Sequence, residues 1–287
     1  MLSLLAFAPA GEHPGRSAIE TALSAVPGAS LDGRDGDDYR PGRWRDPATG
    51  GRCLIDLGEP PLERDDLHPP RGYAGWEPAG LAFHLPLTGP HWLMVESLAM
   101  IEGILHALPG LAAIDTEDSD LAGPGPWSRP RVIASWNRQQ EVFLLGRPHQ
   151  PRLGRGDSLR MWRYRRERAA GSAARPDLFW PELLVLGQSV AGGGMDLRPA
   201  AVWPDPSRHL ALPPVQLVVI PGDPPRIIDA ATLHGDAAAL DHGMARMVAG
   251  GSALAELTAP AELAAPAELK APAIARLKAL GDDDWSD

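Results

Sequence analysis

Apolar residues in positions 1–122 occur in two patterns, one typical of strands and one typical of helices. Short apolar runs bounded by Gly, Pro and polar clusters predict strands. Apolar side chains spaced by three or four positions between those runs predict amphipathic helices. The strands are predicted at residues 2–7, 52–57, 81–87 and 111–114, and the helices at residues 16–26 and 94–108.

These predicted elements follow one another in the order β-α-β-β-α-β. That order resembles the ferredoxin-like fold, in which two βαβ halves form one antiparallel sheet with both helices on one face. The predicted fold class is therefore α+β, with a ferredoxin-like N-terminal unit over residues 1–122. Residues 43–45 offer a further short strand, paired with residues 52–57 through a turn, whereas residues 31–41 are predicted to form a polar loop.

The rest of the chain is predicted to form a second domain and a tail. A Gly-Pro-Gly-Pro sequence at residues 123–126 predicts the boundary. Residues 127–250 are predicted to form a β-rich α+β domain that begins with a helix at residues 132–145. Residues 251–287 contain an Ala-Pro repeat with a period of six, and proline at every sixth position prevents one continuous helix. The acidic residues 281–287 are expected to be solvated.

Composition and charge narrow the class of protein. The net charge of −10 argues against a general nucleic-acid binder, which needs a basic surface. Apolar residues make up 44% of the chain, enough to form a core. Cys53 is the single cysteine, so neither an intrachain disulfide nor a cysteine zinc cluster can form.

The expected location is the bacterial cytoplasm. The chain contains no run of about 18 apolar residues, the length that a membrane span needs. The apolar residues 1–8 have no basic segment before them and are followed closely by Glu12 and His13, so they are interpreted as a strand and not as a signal peptide. Arginine greatly outnumbers lysine, a bias associated with high-GC bacterial genes.

Basic residues are concentrated in one stretch. Residues 152–175 contain eight arginines against one Asp and one Glu, a local charge of +6, so the remainder of the chain sums to −16. Arginine with interleaved aromatic residues can bind carboxylates of a partner protein, bind nucleic acid, or neutralise the chain's own acidic surface. The candidate binding residues are Arg160, Trp162, Arg163, Tyr164, Arg165 and Arg166.

Residues 184–193 resemble the nucleophile elbow of the α/β-hydrolases, a strand followed by G-x-S-x-G. Gly187 and Ser189 match the pattern, and Ala191 replaces its second glycine. The family order Ser, Asp, His implies a triad of Ser189, Asp229 and either His234 or His242. An elbow also needs a helix after the serine, and the glycines at residues 192–194 leave little room for one. We therefore expect Ser189 not to be a nucleophile.

A group of carboxylates follows the fourth predicted strand. Its members are Asp115, Glu117, Asp118 and Asp120. Carboxylate oxygens bind Mg²⁺ or Ca²⁺, and such a site would support metal-assisted phosphoryl chemistry. The group is local and is not accompanied by a phosphate-binding loop of the Walker type, so the favoured interpretation is a solvated acidic turn. We expect no tightly bound metal and no cofactor.

The leading functional prediction is a non-catalytic bacterial protein that acts by binding another protein. The sequence contains no complete catalytic constellation or cofactor motif, and Trp and Arg are the usual anchors of protein interfaces. An acidic protein of this size suits a basic partner, by analogy with toxin-neutralising immunity proteins, and an adaptor is the related option. The alternatives are a serine hydrolase using Ser189 and a carboxylate-metal enzyme using residues 115–120.

Overall fold

A computed structural model describes residues 1–34, 36–58, 73–115, 123–190, 194–205, 210–223, 225–230, 256–257, 277–281 and 284–287. Within these residues the fold is α+β, with four helices and two main sheets. The chain divides by its internal contacts into two compact units, Met1–Pro148 and His149–Asp287.

The first unit contains a six-stranded sheet in which every pair of neighbouring strands is antiparallel. Its strands are β1 (Leu2–Pro9), β2 (Ala29–Leu31), β3 (Tyr39–Arg45), β4 (Arg52–Gly58), β5 (Trp76–Leu85) and β6 (Ala112–Asp115), in the spatial order β2-β3-β4-β5-β1-β6. Its helices are α1 (Arg16–Ser24), α2 (His91–Ala107) and α3 (Arg129–Leu145).

One face of this sheet forms the core with the helices. Alternate side chains of β1, such as Leu2 and Leu4, are buried, as the period of two in a half-buried strand requires. Leu98 of α2 belongs to the same apolar cluster. Helix α3 also packs on this core, since Val132 and Trp136 are part of the cluster. The Trp136 indole N–H donates to the carbonyl of Pro86 at 2.9 Å, which ties α3 to the chain just after β5.

All six elements predicted for residues 1–122 are present, but the structure contains two more strands than the predicted order βαββαβ. The observed order is βαββββαβ, because β2 and β3 lie between α1 and β4. The optional pairing of residues 43–45 with 52–57 is confirmed as part of the β3–β4 hairpin. The predicted polar loop at residues 31–41 is wrong at both ends, where it overlaps β2 and β3.

Strand β3 was difficult to predict because a charged residue occupies a core-facing position. Arg40, Gly42 and Trp44 are the buried residues of this strand. The Arg40 guanidinium forms an ion pair with Glu20 at 3.2 Å and donates to the carbonyl of Asp32. Hydrogen bonds from Arg16 and Arg40 hold the pKa of Glu20 below its ordinary value. An arginine can therefore take a position where the apolar pattern expects a hydrophobic residue.

The second unit contains helix α4 and a five-stranded sheet. Its elements are α4 (Arg155–Ala174), β7 (Leu183–Ser189), β8 (Met195–Val202), β9 (Leu210–Ala211), β10 (Leu217–Ile220), β11 (Arg226–Asp229), β12 (Glu256–Leu257) and β13 (Leu277–Leu280). The sheet order is β11-β10-β8-β7-β13, with β8 and β10 parallel and the other pairs antiparallel. Strands β9 and β12 form a separate pair.

The position of α3 bears on the predicted division of the chain into domains. The predicted helix at residues 132–145 is confirmed as part of α3, and by its contacts it groups with the first unit, whereas the sequence grouped residues 127–250 together. The predicted division into domains at residues 122–127 stays a prediction.

Among the described helices, none combines the length and the apolar character that crossing a lipid bilayer requires.

The expectation of a solvated acidic terminus is wrong for two of its residues. Trp285 is 0% exposed and packs in a cluster with Leu153 and Met161. Ser286 is also buried, and its backbone accepts a hydrogen bond from Leu153 and donates one to Pro151. An aromatic residue inside an acidic segment is thus fixed in the core of the second unit, while Asp284 is exposed.

We predict that Trp285→Ala lowers the stability of the second unit by about 3–5 kcal/mol, the usual cost of truncating a fully buried tryptophan. Lys278→Ala is the matched control, since Lys278 is exposed on β13, and it is expected to change stability by less than about 0.5 kcal/mol. Urea denaturation followed by circular dichroism measures both. A Trp285→Ala midpoint equal to that of the control would contradict the buried placement.

Candidate functional site

The predicted binding segment lies on α4, and part of it is buried. Ser158, Met161 and Tyr164 are the buried residues of this helix. The Tyr164 hydroxyl donates to the carbonyl of Pro181 at 3.0 Å, and its ring stacks on Trp180 with 6.2 Å between centroids. Burial raises the pKa of Tyr164 well above its ordinary value. The Tyr164 side chain therefore belongs to the core, whereas the sequence analysis assigned it to the binding surface.

The opposite side of α4 exposes three arginines and one leucine. Arg155, Leu159, Arg163 and Arg166 are all exposed, and Leu159 retains 38% of its accessible surface. At 3.6 residues per turn these four positions fall within an arc of about 80°. We call them the cationic face of α4.

The remaining predicted binding residues flank this face. Trp162 is half-buried, and the Arg166 guanidinium lies 5.4 Å from the centroid of its ring, in cation–π contact. Arg165 is also half-buried. Arg160 forms an ion pair with Asp157 one turn earlier, so part of its charge is neutralised within the helix. The segment is therefore a helix with one usable face and not a uniformly accessible basic patch.

One carboxylate of α4 is held in an unfavourable environment. The Glu167 Oε2 atom is buried and has no hydrogen-bond partner within the part of the chain that the structure describes. Burial raises the pKa of Glu167, and the nearby Arg163 and Arg166 partly oppose that shift.

The structure does not bring the predicted hydrolase residues together. Ser189 ends β7 and pairs with Met195 across the β7–β8 hairpin, so an antiparallel strand stands where an elbow has a helix. Asp229 lies at the end of β11, three strands away. From the strand register and ordinary strand spacings, Ser189 and Asp229 are on the order of 20 Å apart. His234 and His242 lie outside the described residues.

The predicted carboxylate cluster is represented by Asp115 alone, since Glu117, Asp118 and Asp120 lie outside the described residues. Asp115 is buried at the end of β6 and accepts a hydrogen bond from the Ser135 hydroxyl of α3. Gln139 of the same helix donates to Ser135 at 3.4 Å. Within the described ranges, no three His, Cys, Asp or Glu side chains group as a metal site would need. Asp115 therefore joins α3 to the sheet.

A polar network that the sequence analysis did not identify crosses four strands of the first sheet. The Ser3 hydroxyl lies 2.9 Å from His84 Nδ1, and His84 Nε2 lies 2.9 Å from Asp56 Oδ2. The Tyr39 hydroxyl donates to the other oxygen of Asp56 at 2.8 Å. The four residues form one continuous hydrogen-bonded chain, which we call the Ser3–Tyr39 network.

The strand register explains how these side chains meet. Ser3 of β1 is the cross-strand partner of His84 of β5, and Leu54 of β4 is the partner of His84 on its other side. Because side chains alternate along a strand, all three point away from the face that packs on the helices. Asp56 follows two positions after Leu54 and reaches His84 on the diagonal.

A signal for this network was present in the sequence. Ser3, Asp56 and His84 each stand between two apolar residues of a predicted strand. A polar residue within an apolar strand marks the outer face of a half-buried sheet. Only the pairing of the strands, which the sequence does not show, reveals that three such residues are neighbours.

The buried tryptophans and the cysteine offer no further site. Trp44, Trp180 and Trp203 are buried, so they belong to the cores and are not exposed interface anchors. Cys53 is fully buried, and burial raises its pKa to about 12, which keeps the thiol protonated and unreactive at neutral pH.

Comparison of the chain with protein-family models, with curated proteins and with solved structures found no match.

We predict that Ser135→Ala lowers stability by about 1–3 kcal/mol, because Asp115 then loses a hydrogen-bond donor inside the core. Arg138→Ala, an exposed position on the same helix, is the control and should be nearly neutral. Chemical denaturation gives both values. Calorimetric titration with Mg²⁺, Mn²⁺ and Ca²⁺ tests the alternative. Micromolar binding that Asp115→Ala abolishes would show that Asp115 is a metal ligand and not only a structural link between α3 and the sheet.

We also predict that Glu167→Gln stabilises the protein at pH 7. A carboxyl whose pKa is raised by folding costs stability at pH values above that raised pKa, where the folded protein holds an unfavourable charge. The cost disappears below the unfolded value of about 4.3, where both states are protonated. The gain of the variant should therefore vanish near pH 4. Glu141→Gln, at an exposed position, should show no gain at either pH.

Proposed function

We propose that this protein binds an acidic surface of another protein through the cationic face of α4. The observation that carries the proposal is the grouping of Arg155, Leu159, Arg163 and Arg166 within one exposed arc of a 20-residue helix. Guanidinium groups form paired hydrogen bonds with carboxylates, so three of them along one side of a helix suit an acidic helix or strand edge.

Apolar and aromatic side chains within the same surface favour a protein partner. Leu159 lies among the arginines and offers apolar contact area, and Trp162 lies beside Arg166 at the edge of the face. Buried Trp and Arg contacts supply much of the binding energy in protein interfaces. A surface that bound only phosphates would need no exposed leucine, and the strongly acidic remainder of the chain opposes nucleic acid.

The biological setting is part of this proposal. A bacterial cytoplasmic adaptor that binds an acidic protein is the setting that the cationic face favours, and a chain with a single free cysteine is consistent with that compartment. The alternative is a basic partner bound to the acidic remainder of the chain, such as a toxin that is neutralised in the way that immunity proteins neutralise theirs. Partner identity decides between these roles.

We further propose that the first unit is a ferredoxin-like fold extended at one edge. The strand order β6-β1-β5-β4 and its antiparallel pairing support this, with α1 and α2 in the crossover connections. The β2–β3 pair then extends the sheet beyond β4.

The proposal predicts that reversing Arg155, Arg163 and Arg166 to Glu abolishes binding to a synthetic acidic peptide containing Glu, Asp and Leu. Surface plasmon resonance at several salt concentrations measures the rates, and the wild-type association rate should fall as salt rises. Trp162→Ala should mainly raise the dissociation rate.

The matched control reverses Arg34, Arg45 and Arg138, three exposed arginines of the first unit, and so changes the net charge equally. This control should retain most of the peptide binding. Equal losses of peptide binding in both triple variants would show that the binding depends only on net charge. That result would overturn the proposal that the cationic face of α4 is the binding site. Binding of mixed-sequence DNA or RNA at 150 mM salt, lost only in the α4 variant, would establish nucleic acid as the ligand instead.

A further inference from the structure

We propose that Ser3 is a nucleophile, that His84 is its general base, and that Asp56 orients the imidazole, so that the protein reacts with carboxylic esters that have a short apolar acyl group. This activity lies in the first unit and is independent of the binding proposed for α4. It differs from the sequence-based expectation of a non-catalytic protein, and the experiment below distinguishes the two.

The geometry meets the requirement for an activated serine. A serine nucleophile needs a base within hydrogen-bond reach, and the base needs a third group that fixes its orientation. The distance from the Ser3 hydroxyl to His84 Nδ1 and that from His84 Nε2 to Asp56 Oδ2 are each 2.9 Å, within that reach. Such constellations are recognised by the roles of their members and not by sequence position.

Asp56 determines which imidazole nitrogen can act as the base. A carboxylate oxygen only accepts hydrogen bonds, so its partner His84 Nε2 carries the proton. His84 Nδ1 then has a free lone pair and accepts the Ser3 hydroxyl proton. Tyr39 donates to the second Asp56 oxygen and keeps the carboxylate in place. The two nitrogens exchange the roles that they have in the serine proteases, which leaves the proton transfers unchanged.

The network is held rigidly and is still accessible. Its members lie on four adjacent strands, which restrict their side chains more than loops would. The His84 and Asp56 side chains are 18% and 22% exposed, so water is partly excluded while both side chains keep some surface that a small molecule can contact.

Leu54 indicates the class of acyl group. It is the cross-strand partner of His84 on the same face and is 50% exposed, so it offers apolar surface beside the imidazole. An acyl chain of a few carbons could lie on this side chain while its carbonyl carbon faces the Ser3 oxygen.

The proposed reaction proceeds in two balanced steps. The Ser3 oxygen attacks the ester carbonyl carbon while its proton passes to His84 Nδ1, and the ester C–O bond then breaks as the leaving alcohol takes that proton. Water next attacks the acyl-serine with His84 again as base. This second step releases the carboxylic acid and restores Ser3.

The test uses the full chain, a fluorophosphonate probe and p-nitrophenyl butyrate. Peptide mapping by mass spectrometry should locate the phosphonyl adduct on Ser3. Ser3→Ala should lose labelling and the acyl-enzyme burst, and His84→Gln should slow labelling at least about 100-fold, the usual scale of general-base catalysis. Ser189→Ala is the matched control, because Ser189 is an exposed strand serine without this network, and it should be labelled like the wild type.

Folding is checked separately, so that a structural effect is not mistaken for a chemical one. Circular dichroism and the denaturation midpoint of each variant are measured beside its labelling rate. The adduct position in the wild type does not depend on any variant and decides the proposal even if Ser3→Ala unfolds. Absence of an adduct on wild-type Ser3, or labelling that persists in folded Ser3→Ala or disappears in Ser189→Ala, overturns it.

Discussion

The alternation of side chains on antiparallel strands governs the whole of the first unit. One face of the six-stranded sheet must be apolar because helices cover it, and Leu2, Leu4 and Phe83 meet that demand. The same alternation sends Ser3 and His84 to the other face, in register with each other. The same strand pairing therefore places apolar side chains in the core and the polar network on the opposite face. A shift of one residue in the register of a strand would move its polar side chains to the core face and its apolar side chains to the other face.

The second unit has a different organisation, centred on α4. Glycine at position 171 permits the helix to approach Trp180, since a Cβ there would lie 2.2 Å from the indole ring. That close packing commits Tyr164 and Met161 to the interior and leaves the arginines on the opposite side of the helix. The cationic face is thus determined by packing on the buried side.

Periodicity was sufficient to predict the elements that obey a simple apolar pattern. Helix α2 and strand β1 were found because their apolar residues recur at the expected spacing. Strand β3 was only partly found because Arg40 and Gly42 occupy core-facing positions. The Ser3–Tyr39 network required strand order, which depends on pairings between residues far apart in sequence. Similarly, only the packing of α4 shows that Tyr164 is buried whereas the adjacent Arg163 is exposed.

The position of β13 has a consequence for synthesis of the chain. The first unit is contiguous, so it can fold while later residues are still being translated. The second sheet pairs Val185 with Leu280, and its core includes Trp285. This core cannot close until those residues have emerged from the ribosome. Until then, strand β7 has an unpaired edge, the kind of edge that can pair with another chain.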